Sequence, residues 1–118
     1  MLTREIKQQE WQPFFDDFSR KHEGRKVSIE IIGPEIGAQV EESGLVFVGI
    51  AGESERSVNS SIIIMVGVSA NDHVTHSIRR PTQVSLEHDG KGEDLALAIQ
   101  GVDGDTALLR FKSRLGWS

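Results

Sequence analysis

The chain has 118 residues, a formal net charge of -5 and no cysteine. That length fits one domain hiding roughly two thirds of its unfolded surface, and the missing thiols exclude disulfides, thiolate metal sites and cysteine nucleophiles. No stretch approaches the roughly 18 apolar residues of a membrane span, and MLTREIKQQE is charged where a secretion signal needs an apolar run. The acidic balance repels polyanions at long range, which argues against nucleic acid as a partner. The expectation is a cytoplasmic protein, one domain over residues 1–118, without a membrane partner.

In residues 9–22, QEWQPFFDDFSRKH, Trp11, Phe14, Phe15 and Phe18 recur at spacings of three and four, which predicts a helix with one apolar face. Pro13 suits its first turn, with KQQEW as a separate leading turn, and Gly24 stops it. Asp16 and Asp17 fall early and Arg20, Lys21 and His22 late, in keeping with the helix dipole. From Lys26 the period changes to two, and KVSIEII reads as a half-buried strand ended by Gly33-Pro34. Strands follow at 38–42 and 45–51 around Ser43-Gly44, with Gly49 marking a bulge or bend. GESERSVNS, 52–60, reads as a polar, mobile loop.

SIIIMVGV, 61–68, is apolar on both faces and is expected to be the most buried element. Strands at 73–78 and 83–88 are divided by Arg80-Pro81, and two more, 94–100 and 106–112, form a closing hairpin. Its loop is predicted to hold Val102, Asp103 and Gly104, with Gly104 left-handed, because that register pairs Ile99 with Ala107 and Leu97 with Leu109. The fold class is α+β: an N-terminal helix packed on a strongly bent antiparallel sheet of about seven short strands. The body spans 26–112 and a short tail 113–118. The nearest architecture is a small, partly open SH3-like or Sm-like barrel, and the pattern does not separate a barrel from a curled open sheet.

NDHVTHSIRRP, 71–81, gathers the reactive residue types. On a regular strand His73, Thr75 and Ser77 point one way and Val74, His76 and Ile78 the other. The two histidines therefore diverge, and neither a shared metal nor a serine–histidine pair assembles from this segment alone. The simplest reading of His76 is an inner-face residue between Val74 and Ile78, and of His73 a surface residue. Asn71 and Asp72 are ordinary turn formers. Arg79 and Arg80 project to different sides, so one can reach a carboxylate such as Glu30 or Glu87 while the other meets solvent; the functional version of the pair is an anion site. EHDGKGEDLALA, 87–98, fails as a calcium loop, with Lys91 at its fifth place and Ala98 at its twelfth, and EHDGKGED reads as a hairpin loop. GPEIG and GIAGE are not dinucleotide fingerprints, and GVSAN is not a nucleophile elbow.

The segments EWQPFFDDFSRKHEG, GPEIGAQVE and DHVTHSIRRPTQVSLE together resemble a family of short bacterial proteins catalogued as a domain of unknown function. The resemblance spans nearly the whole chain and implies a stand-alone bacterial domain; it transfers no activity, cofactor or catalytic residue. The residues themselves favour a non-enzymatic binding or protein-interaction module, whose sheet edge or helix–sheet groove receives a protein partner or a small anionic ligand. A homodimer through an edge strand or the Trp117 tail belongs to the same class. The rival is a small enzyme or anion sensor using His73, His76, Arg79 and Arg80. No cofactor, metal site or catalytic residue is assigned.

Overall fold

The computed structural model describes residues 2–33, 37–55, 59–69 and 72–112. The aromatic run forms helix α1 (Trp11–His22), led by a separate 3₁₀ turn at Gln8–Glu10. Pro13 occupies its first turn, where a missing N–H leaves no bond unmade. Gly24 ends it with a φ of 89° and donates its N–H to the Phe47 carbonyl. Phe15 and Phe18 are buried, and Trp11 and Phe14 pack half-buried against the same core.

Eight strands form one antiparallel sheet: β1 (Leu2–Ile6), β2 (Lys26–Gly33), β3 (Gly37–Glu55), β4 (Asn59–Ser69), β5 (Asp72–Arg79), β6 (Pro81–His88), β7 (Asp94–Gly101) and β8 (Thr106–Phe111). Their order in the sheet is β1-β6-β7-β8-β2-β3-β4-β5. The α+β class is as expected, but the described residues form eight strands, and their sheet does not close into a barrel. The additional strand is β1, four of whose five residues are exposed. LTREI has no apolar alternation because it lies at the end of the sheet and turns only Ile6 into the core.

Two further expectations change. The segments 38–42 and 45–51 are one 19-residue strand, β3. Ser43-Gly44 is a bulge rather than a turn: Leu45 faces Val27 and Glu42 faces Ile29, so two residues of β3 oppose Ser28 alone. This bend lets the first part of β3 pair with β2 and the rest with β4. The polar segment 52–60 is mostly ladder, since β3 runs to Glu55 opposite Asn59. Backbone pairing continues there beyond the apolar run that marks the strands in sequence.

The register also slips between Phe47 and Gly49, at the bulge expected from that glycine. Ser19 of α1 meets this irregular stretch: its hydroxyl accepts from the Ile50 N–H at 2.9 Å and donates to the Ile50 carbonyl at 3.1 Å. In β4, burial alternates, with Ile62, Ile64 and Val66 in the core and Ile63 and Met65 half-covered. The closing hairpin has the expected register, Ile99 opposite Ala107 and Leu97 opposite Leu109, with Gly104 at φ 93°.

One core holds the sheet and helix together, built from Phe15, Phe18, Val27, Ile29, Phe47, Ile64, Leu97, Leu109, Phe111 and their neighbours. Phe18 meets Phe47 edge-on at 5.7 Å and Phe111 at 5.5 Å between ring centroids. Each such side chain contributes roughly 1.5–3 kcal/mol by leaving water. Among the described residues no helix is long and apolar enough to cross a membrane.

The chain turns from β5 into β6 through Arg80 alone, which holds a φ of 49°. This conformation is unfavourable for a residue with a Cβ, and doubly so before a proline. The corner is pinned by a bond from the Val102 N–H to the Arg80 carbonyl at 3.1 Å. Gly101 lies against it so closely that an added Cβ would stand 3.3 Å from the Arg79 carbonyl oxygen. Arg80→Gly is expected to raise stability in urea denaturation by about 0.5–1 kcal/mol, the relief of strain less the freedom glycine gives the unfolded chain. A loss of that size would contradict strain at the corner.

Candidate functional site

The segment singled out in the sequence forms β5 and the corner after it. β5 pairs with β4 without interruption from Arg79 opposite Ser61 to His73 opposite Gly67. Its faces alternate as expected: His73, Thr75, Ser77 and Arg79 are exposed, and Val74, His76 and Ile78 are half-buried, with Val74 and Ile78 against the core. His73 and His76 therefore stand on opposite faces and share no site. Nε2 of His76 is buried and has no hydrogen-bond partner. Asn71 and Trp117 lie outside the described residues.

Neither arginine reaches the carboxylates expected for it. Glu30 is held by Arg110 at 3.1 Å, and among the described residues neither Arg79 nor Arg80 makes an ion pair. Both are exposed. Arg79, Ser77 and Ile78 line a cleft of about 280 Å³ together with Ile31, Gly101 and Ala107 and with Asp103 and Asp105 of the β7–β8 turn. The Oδ1 atom of Asp103 accepts from the Asp105 N–H at 3.1 Å.

β5 is an edge strand, at one end of the sheet order. Among the described residues, no hydrogen bond outside the β4 ladder reaches residues 73–79, so the other side of the backbone offers unpaired N–H and C=O groups. The opposite edge, β1, differs. Its last carbonyl, that of Ile6, accepts the Trp11 indole N–H at 2.8 Å, and Arg4 lies over the Phe14 ring.

A second polar cluster lies where α1 ends beside the start of β7, and sequence reasoning passed over it. His22 Nε2 lies 2.7 Å from Asp94 Oδ2, and both residues are buried. Arg25 Nη1 lies 3.3 Å from His22 Nδ1. A guanidinium only donates, so Nδ1 accepts, and the ring proton sits on Nε2 and is donated to Asp94. The imidazole packs between Phe18 and Phe111 at 4.7 and 4.5 Å, and the Arg25 guanidinium covers the same Phe111 ring. Burial lowers the His22 pKa from its ordinary value, against the opposing pull of the Asp94 hydrogen bond and charge.

Lys21 approaches Asp94 at 3.6 Å and Arg25 approaches Glu93 at 3.5 Å, so the shallow pocket over this cluster carries balanced charge. With one nitrogen given to Asp94 and the other covered by Arg25, the ring has no lone pair left for a substrate proton. The cluster ties the helix end to the sheet. Only its residue types were visible in the sequence, because His22 and Asp94 are 72 positions apart.

The loop EHDGKGED is the hairpin connection expected. Asp89 Oδ1 accepts the N–H groups of Lys91 at 2.7 Å and Glu93 at 3.0 Å, which holds its carboxyl below the usual range.

A family model matches residues 2–117, described as a family of unknown function, DUF5335. The chain belongs to that family. An uncharacterized protein of Aquifex aeolicus (strain VF5) is 23% identical over 112 residues, spanning 95% of this chain and 94% of its own length. No solved structure matches the chain. This DUF5335 member thus takes its functional reading from its own geometry.

The His22 cluster makes a pH prediction. The folded-state pKa lies below the unfolded value of about 6.5, so the unfolded chain binds the extra proton first on acidification. Stability from this group is complete above pH of about 6.5 and falls as pH drops through the interval down to the folded pKa. Urea midpoints should decline across that interval in the native protein. In His22→Gln, which keeps a donor and an acceptor but does not titrate, the decline should flatten; an unchanged slope would assign it to other groups.

Proposed function

We propose that the protein is a non-enzymatic interaction module that receives an extended segment of a protein partner along the free edge of β5. The observation that carries this reading is that residues 73–79 of β5 pair with β4 on one side and, among the described residues, with nothing on the other. Strand addition at such an edge draws affinity from main-chain hydrogen bonds and specificity from side chains at alternate positions. Native edges are commonly guarded by charged side chains, proline or a bulge; HVTHSIR, residues 73–79, has no proline, carries its one formal charge on the terminal Arg79 and pairs with β4 in regular register. The divergence of His73 from His76, and the covered nitrogens of His22, weigh toward binding and away from proton-transfer chemistry.

A displayed library of random linear peptides provides the test. Enriched peptides should protect backbone amides of residues 73–79 from hydrogen exchange and leave the outer edge of β1 unchanged. Binders whose protection maps elsewhere, or a library that yields no binder, would overturn the reading.

A further inference from the structure

The side chains along the β5 edge specify what kind of segment fits it. Residues 73–81, HVTHSIRRP, hold two arginines and no carboxylate, in a chain whose net charge is -5. The other described arginines are engaged. Arg4 lies over Phe14, Arg20 approaches Asp17, Arg25 approaches Glu93 and Arg110 binds Glu30. Arg79 and Arg80, both exposed, have no such partner among the described residues. His76, on the inner face of the same edge strand, adds a buried Nε2 without a hydrogen-bond partner.

We infer that the segment received by β5 is an acidic extended peptide, with carboxylates at alternate positions on the face of Arg79, the last of them beside Arg80 at the corner, and a polar side chain on its inner face completing His76. The inference rests on the edge-strand reading and adds the chemistry of the partner. Residues directly opposite on paired strands point to the same face, so a ninth strand beside β5 places one row of its side chains with Arg79 and the other with His76. Asp103 and Asp105 line the same cleft as Arg79, and their charge favours an incoming carboxylate on the side of Arg79 away from that cleft. A second copy of the chain fits less well. Its own 73–81 segment brings two more arginines and no carboxylate, and Asp72 already makes an interaction of its own.

Three linear peptides of equal length, acetylated and amidated, test the proposal by titration into the isotopically labelled protein at low salt. They alternate threonine with glutamate, glutamine or lysine. The glutamate peptide should shift the amides of residues 73–80 and the His76 ring. It should bind about fivefold tighter than the glutamine peptide, as expected for two exposed ion pairs. That advantage should shrink at high salt and vanish in the Arg79→Gln, Arg80→Gln double variant.

Equal binding of the glutamate and glutamine peptides at β5 would overturn the acidic partner and leave the edge reading standing. Failure of all three would overturn both. Shifts of the same amides on raising protein concentration alone would assign the edge to a second copy, and tighter binding of a single-stranded oligouridine at these amides would assign it to nucleic acid. Either result overturns the acidic peptide.

Discussion

The single-residue corner at Arg80 decides the plan of this protein. Two consecutive strands joined by so short a link could form a hairpin only if the turn reversed the chain, and Arg80 does not reverse it. It sends the chain from β5, at one end of the sheet, to β6, next to the other end. Gly101 allows the end of β7 to press against this corner, and the bond from the Val102 N–H to the Arg80 carbonyl fixes it. With β6 occupied on its two sides by β1 and β7, β5 keeps β4 as its partner, and among the described residues nothing pairs with the far side of residues 73–79. The exposed edge is a consequence of how the corner is built.

The remainder of the molecule is arranged to hold that geometry. Helix α1 packs its aromatic face on the curved sheet, and Ser19 satisfies backbone groups of Ile50 beside the β3 irregularity. At the helix end the neutral His22 bonds Asp94 and packs between two phenylalanines. A buried histidine beside a carboxylate invites a catalytic reading, but the partner that matters is Arg25, which occupies the second nitrogen. The cluster therefore acts as a structural tie, whereas among the described residues Arg79 and Arg80 make no ion pair and His76 Nε2 has no hydrogen-bond partner.

How much of this was legible in the sequence depended on whether the signal was local. The aromatic helix could be read from spacing alone. The β7–β8 register followed from one glycine and the requirement that Leu97 and Leu109 share a face, and His76 fell inward by simple alternation. β1 was invisible because an end strand with one buried residue has no apolar period. Gly44 signals a turn and a bulge equally well, and its left-handed φ of 71° serves a bulge here. The His22–Asp94 pair, the sheet order and the place of β5 at the end of that order depend on contacts between distant parts of the chain, which no local pattern encodes.

Amide hydrogen exchange of the dilute, partner-free protein, followed residue by residue, tests the central claim that β5 is a free ladder edge. In an edge strand only the amides turned toward the neighbour are bonded, so protection should alternate along residues 73–79 and be continuous along the inner strand β7. Uniform protection of all β5 amides, equal to that of β7, would show that the edge is already covered and would contradict the account.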